Sequence, residues 1–170
     1  VLPAVACITL LTVKASKAKG NTPMKVYIAG PMTGLPQFNV PLFDHVARQL
    51  RAQGYDVVSP AELDSPEMRA AAMKSKDGAP APVEQATGET WGDVLARDVK
   101  VLSDHGIEGI VLLPGWYKSR GATLETTVGL LNGLKFFQWQ VEEELPTPLS
   151  NVSVVSGLLD GYAHRGTYHK

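Results

Sequence analysis

The residues best placed to do chemistry cluster around the segment Pro-Gly-Trp-Tyr-Lys-Ser-Arg-Gly at 114–121. Ser119 and the backbone N–H groups of 120–123 stand at the start of a predicted helix, where free donors and the helix dipole attract a phosphate or a carboxylate. Arg120 adds a planar fork of donors, and Gly121 lets a ligand approach the turn. Glu125 lies one turn inside the same helix, and Asp98 lies in the preceding periodic segment. Carboxyl groups near strand ends are candidates for acid–base or nucleophilic work. Each residue also has a plainer reading. Ser119 can cap the helix, Glu125 can be a first-turn surface acid favoured by the dipole, and Asp98 can be a solvated partner of Arg97 or Lys100.

A second candidate loop is Gly30-Pro31-Met32-Thr33-Gly34. Its two glycines allow positive φ and close passage of the backbone past a ligand. The pattern is neither GxGxxG nor GxxxxGK[ST], which disfavours ordinary dinucleotide binding and P-loop phosphoryl transfer. Among the aromatics, Tyr27, Phe38 and Trp91 read as core or rim residues, while Trp116 on the 114–121 loop is placed to stack on a base.

Elements to carry these residues follow from the hydrophobic pattern. Strands are predicted over 25–29, 55–58, 109–113 and 135–140, and helices over 39–53, 90–104 and 120–133. In the last helix Leu124, Val128 and Leu131 share one stripe, which puts Glu125 at the edge of the apolar face. Residues 61–89, rich in Pro and Gly, read as a short helix near 66–74 followed by a mobile loop, and the chain beyond Pro146 as a polar tail with one weak turn near 153–159. Alternating strands and helices predict an α/β fold: a doubly wound, flavodoxin-like or Rossmann-like parallel sheet of four to five strands with helices on both faces. The ligand cleft of such a sheet lies beyond the carboxyl ends of its strands, which selects loop 30–39, the region after Val58 and loop 114–121.

Composition narrows the classes. Of 170 residues, 16 are Lys or Arg and 17 Asp or Glu, a net charge of −1 without the basic excess of a non-specific nucleic-acid binder. The single cysteine, Cys7, excludes an internal disulfide framework, and the four histidines show no metal-ligand spacing. No metal or cofactor is expected, nor binding to DNA, RNA or a membrane. A soluble cytoplasmic protein fits this balance. Residues 1–23 read as an extension: Val1–Val13 is uncharged and apolar, too short to span a bilayer, and Met24 immediately precedes the first strand.

In their order, several blocks resemble the nucleoside 2-deoxyribosyltransferase-like superfamily, in particular a small uncharacterised branch common in phages and related to nucleotide N-glycosidases. The blocks are Val26-Tyr27-Ile28-Ala29-Gly30-Pro31-Met32-Thr33-Gly34, Phe38-Asn39, Ser59-Pro60-Ala61-Glu62-Leu63, Trp91, Arg97-Asp98, Leu113-Pro114-Gly115-Trp116 and Ser119-Arg120-Gly121-Ala122-Thr123-Leu124-Glu125. The resemblance covers about 24–140 and leaves 141–170 as a tail. It implies that Glu125 attacks the anomeric carbon of a nucleoside or nucleotide. Asp98 assists proton transfer, Tyr27 is the first-strand aromatic, and Ser119 holds a 5′-phosphate. The related hydrolases carry an arginine in the first glycine loop where this chain has Thr33, so Arg120 is the candidate replacement.

The expected activity is therefore cleavage or exchange of the base, as N-glycosidase or 2-deoxyribosyltransferase. A catalytically weak nucleotide-binding protein, a sensor or sequestering protein, and a host-interaction protein on the same fold are the alternatives. A homo-oligomer, most simply a dimer, is expected from the small core, with Phe136, Phe137 and Trp139 as candidate interface residues.

Overall fold

The computed structural model describes residues 22–104 and 106–166; the expected extension, up to residue 21, lies outside the described residues. In chain order the elements are β1 (Lys25–Ala29), α1 (Val40–Ala52), β2 (Asp56–Val58), α2 (Pro60–Leu63), α3 (Pro66–Lys74), α4 (Pro80–Thr87), α5 (Trp91–Asp104), β3 (Gly109–Leu112), α6 (Arg120–Leu131), β4 (Lys135–Gln140), β5 (Leu145–Leu149) and α7 (Asn151–Gly166). They build a five-stranded sheet in the order β2-β1-β3-β4-β5. The first four strands are parallel, and β5 pairs antiparallel with β4. The fold is α/β, consistent with a doubly wound Rossmann-like arrangement.

The alternation of side chains along β1 sorts the core into two layers. Val26 and Ile28 face α1, whose Val40, Phe43, Val46, Ala47 and Leu50 are fully buried. Tyr27 and Ala29 face the opposite layer, with Leu102 of α5, Ala122 of α6 and Val154 and Leu158 of α7. The chain order reverses between β1 and β3, so the loops leaving these neighbouring strands diverge and open a crevice above them.

Three regions differ from the sequence reading. Residues 75–89 are not only loop: α4 follows α3, with Val83 and Met68 buried. Proline in the first turn of each helix fits the free N–H positions there, so the prolines start helices rather than prevent them. Beyond Pro146 the chain is not a polar tail with a single turn. Leu145–Leu149 adds an edge strand despite its two prolines, which an edge position tolerates. Asn151–Gly166 forms a helix that packs on Trp116 through Gly157 and Gly161. A Cβ at Gly157 would come within 2.6 Å of the Trp116 ring, and one at Gly161 within 2.0 Å of the Tyr117 carbonyl oxygen.

The third difference concerns α6. The face it buries is Ala122, Thr123, Glu125, Thr126 and Gly129, while Leu124 is 39% and Leu131 83% exposed. The predicted stripe is thus split: Leu124 and Leu131 turn outward, while Val128 stays half-buried against the core. Close approach explains the inversion: a Cβ at Gly129 would meet Ile110 at 2.4 Å, so only small residues let the helix lie against β3. Thr126 returns its hydroxyl to the Ala122 carbonyl at 2.6 Å, which satisfies the buried oxygen within the helix. Phe136 and Trp139 are likewise buried in the core, and Phe137 packs edge-on against Tyr55. The faces of β4 are covered by the protein's own helices, so these rings offer no interface.

Candidate active site

The inverted α6 carries Glu125 inward to the sheet, where only 5% of the residue remains exposed. There the Tyr27 hydroxyl, rising from the third residue of β1, donates to Glu125 Oε1 at 2.8 Å. The two residues are 98 apart in sequence and meet because β1 lies beneath α6. From α5, Asp98 enters the same space, buried to 4% exposure. Arg97 turns beside it, donating from Nε to Asp98 Oδ1 at 2.9 Å and from Nη1 to Asp64 Oδ1 at 3.0 Å. Asp64 terminates α2, so the guanidinium ties the α2–α3 segment to the middle of α5.

Burial governs the protonation states. It pushes Glu125 from 4.5 up to about 8, reinforced by the Asp98 charge and opposed by the Tyr27 hydrogen bond and the Arg97 charge. Asp98 is also raised by burial, against the pull of Arg97, and Asp64 shows the same contest. Tyr27 is held well above its ordinary value by burial and by the neighbouring Glu125 charge. At neutral pH the neutral form of Glu125 therefore predominates, with Tyr27 a permanent hydrogen-bond donor and Asp98 the better-compensated acid. Two carboxyl groups with environments of different strength are a common basis for dividing acid and base roles.

These groups form one end of a cleft of about 500 Å³. Gly30, Met32, Thr33, Ser119, Arg120, Gly121, Asp98 and Glu125 all line it, so loops far apart in sequence converge on one opening. A Cβ at Gly30 would lie 2.7 Å from Leu113 Cβ, so glycine there lets the two strand ends close up beneath the cleft. Beyond Gly34 the backbone is strained. Gln37, Phe38 and Asn39 all have positive φ, at 54°, 49° and 57°. Asn39 Nδ2 donates to the Pro31 carbonyl at 2.9 Å and the Gln37 N–H to the Ser75 carbonyl at 2.8 Å, which hold the loop in this shape and aim Phe38 at the cleft.

Residues 24–78 match a family described as a domain of unknown function (DUF4406). No curated protein and no solved structure matches the chain. The matched stretch contains Tyr27, the glycine loop, Phe38 and Asp64, and ends before Asp98, Ser119 and Glu125.

Not every candidate residue is at the opening. Trp116 is 4% exposed and packs under α7, so its ring does not stack on a ligand. Pro31 and Gly34 shape the loop from behind: Pro31 accepts from Asn39, and the Gly34 N–H donates to the Gly78 carbonyl at 3.0 Å. Ser119 Oγ accepts from the Ala122 N–H at 3.3 Å, the helix cap of the plainer reading. Arg120 lies over the Trp91 ring, 4.9 Å from its centre, as a cation–π pair at the cleft wall. Two charged residues were absent from the candidate set. The sequence offers Arg97 as a solvated partner of Asp98 and as part of the Arg97-Asp98 block of the resemblance, and gives no reason to single out Asp64. The adjacency Arg97-Asp98 on a helix with an apolar face was the available signal for the first; Asp64 becomes legible only when α2 brings it to Arg97. Val94 and Leu95 of α5 line the cleft with Met68 and Val83.

Proposed function

We propose that the protein is a nucleoside N-glycosidase or 2-deoxyribosyltransferase, acting at C1′ through Glu125. The observation that carries this reading is the buried Glu125 carboxyl, bonded to Tyr27 and neighbouring Asp98 at one end of a cleft with an apolar far wall. In its ionised form Glu125 attacks C1′; the C1′–N bond breaks and its electron pair leaves with the base. The oxocarbenium-like transition state is positive, so a desolvated carboxylate stabilises it strongly. A solvent proton relayed through a water that the Asp98 carboxylate orients neutralises the departing base. Water or a second base then attacks C1′ and frees the carboxylate, giving hydrolysis or transfer. Arg97 holds Asp98 and Asp64 in place, and the Tyr27 hydroxyl orients Glu125. The resemblance of the chain's motifs to the nucleoside 2-deoxyribosyltransferase-like superfamily supports the same assignment.

The charge of the lining favours an unphosphorylated substrate. Five carboxyl groups (Asp64, Glu84, Glu89, Asp98 and Glu125) face the cleft against three cations, Arg97, Lys118 and Arg120. Arg97 is matched by two carboxylates and Arg120 is engaged with Trp91. Thr33 supplies no charge, so a phosphate dianion meets little uncommitted positive charge. The apolar wall formed by Met68, Val83, Val94 and Leu95 suits the flat face of a base.

The test is incubation with ribo- and deoxyribonucleosides and their 5′-monophosphates, with free base measured by chromatography for the wild type and Glu125→Gln. Base release from nucleosides by the wild type alone is expected. No release from any member of the panel, or equal release by both proteins, overturns the proposal.

A further inference from the structure

Asp64 lines the cleft, and the reaction proposed above gives it no contact with substrate. Its side chain is 8% exposed. Oδ1 accepts from Arg97 Nη1 at 3.0 Å, while Oδ2 has no partner among the described residues. That second oxygen is not sealed in the core, because Ser59 Oγ is the one buried side-chain atom without a partner among the described residues. With nine-tenths of the side chain covered, the cleft is the space into which Oδ2 opens. The other acids of the roof differ. Glu84 and Glu89 are only half-buried, and Glu84 Oε1 is taken by the Trp91 N–H at 2.9 Å.

One planar guanidinium fixes where Asp64 stands. Arg97 donates from Nε to Asp98 and from Nη1 to Asp64, so the two carboxyl groups are held side by side. The ion pair also favours the ionised form of Asp64, in opposition to burial. Val94 lies one turn before Asp98 on the same face of α5. Met68 stands in the first turn of α3, which starts two residues after Asp64. The free acceptor oxygen is thus set between an apolar wall and the acid beside which the departing base lies.

We infer that Asp64 selects the base, accepting a hydrogen bond from an exocyclic amino group and rejecting the carbonyl counterpart. An ionised carboxylate accepts and cannot donate, so it attracts an N–H edge and repels a carbonyl oxygen. The substrate class is then an amino-bearing nucleoside, of the adenine or cytosine type rather than the hypoxanthine or uracil type. The keto bases also bear a ring N–H, but beside the carbonyl oxygen that the carboxylate repels. The inference rests on the N-glycosidase reading for the placement of the base.

Matched nucleosides that differ at this edge test it: deoxyadenosine against deoxyinosine, and deoxycytidine against deoxyuridine. Base release is measured as kcat/KM for the wild type and Asp64→Asn. Dissociation constants are measured by isothermal titration in the Glu125→Gln background, with and without Asp64→Asn. In the pair that the cleft accepts, Asp64 should favour the amino member about 10- to 100-fold in both readouts. Asp64→Asn keeps an oxygen for Arg97 and offers an N–H to the cleft, so the preference should vanish or reverse. Circular dichroism confirms that the variant folds. A protein with Asp64 in place and no amino preference overturns the inference. So does an Asp64→Asn protein that loses affinity for both members equally, since Asp64 then serves only to hold Arg97. Amino preference in titration, abolished by Asp64→Asn, without base release from any nucleoside supports the subsite and overturns the reaction. Base release without that preference does the reverse. Binding of none of the four nucleosides overturns both.

Discussion

The two ends of the cleft are built in different ways. Its floor, Tyr27, Asp98 and Glu125, is carried by a central strand and by two long helices packed on the sheet. Its roof combines α2 to α4, a single excursion between β2 and α5, with the strained turn at 37–39 that joins β1 to α1. The floor places charged and hydrogen-bonding groups against the fully buried middle of the molecule, where a low dielectric strengthens every interaction. The roof presents Met68, Val83 and their neighbours and is tied to the rest by the Arg97–Asp64, Arg69–Asp44 and Arg51–Glu62 ion pairs and by backbone bonds from Gly34 and Gln37. Chemistry and rigidity therefore reside in the floor, and recognition and access in the roof.

The sharpest way to break this contrast is to remove the floor's charge. Glu125→Gln preserves shape but not nucleophilicity, and base release should fall by about a thousandfold or more, with ligand affinity retained. Steady-state kinetics and isothermal titration with the best nucleoside check the two halves of that outcome. If the roof variants below lose turnover equally, the division fails.

The pH dependence of stability follows from the same residue. Glu125 binds its proton more tightly in the folded protein, at about 8, than in the unfolded chain, near 4.5. Between those values the native state holds a proton that the unfolded state has released, so folding stability falls as pH rises from about 4.5 to about 8. The full stabilisation from this group is present below about 4.5 and is gone above about 8. The loss is of order 5 kcal/mol for an isolated group. Urea titrations at pH 5 and pH 8.5 should show the decline in the wild type and a flatter profile in Glu125→Gln. Activity runs in the opposite direction, since the attacking form is the anion: turnover should climb toward pH 8.

Arg97 joins floor to roof. Arg97→Met leaves Asp64 and Asp98 buried without their cation, and should cost about 2–4 kcal/mol in urea unfolding at neutral pH. The cost should shrink in acid as the carboxylates protonate.

Roof variants sharpen the contrast further. Met68→Ala should cost about 2 kcal/mol of stability and raise KM several-fold with kcat little changed. The smallest effect is expected at the strained turn. Asn39→Ala removes the side-chain bond to Pro31 at a left-handed position and should lower stability by about 1 kcal/mol, measured as a shift in urea midpoint.

How far each region was readable in advance follows the same division. Tyr27, Asp98 and Glu125 were singled out through the resemblance of their motifs, since strand alternation and the rule that clefts open beyond strand ends brought their segments near one opening but left each with a plainer reading. Those patterns also located β1 to β4 and the helices α1, α5 and α6. The orientation of α6 was not legible. Leu124 and Leu131 follow the normal amphipathic spacing, and only the tight seat of Gly129 on Ile110 turns them to solvent and brings Glu125 inward. The prolines of 60–89 and of β5 are ambiguous signals, since proline both begins helices and edges sheets. Trp116 and Trp139 looked available because an aromatic's surroundings cannot be known before α7 and the sheet have packed around it.

By itself, then, the sequence determined the alternation of strands and helices, the hydrogen-bonding residue types in the loops and the order in which they come. These depend on propensities and periodicities that act over a few residues. The tertiary structure alone decided which face each helix buries, that Asp64 meets Arg97, and that Glu125 holds its proton near neutral pH. Those outcomes depend on distance of approach and on exclusion of water. Both arise only when segments as much as 98 residues apart are pressed together, as Tyr27 and Glu125 are.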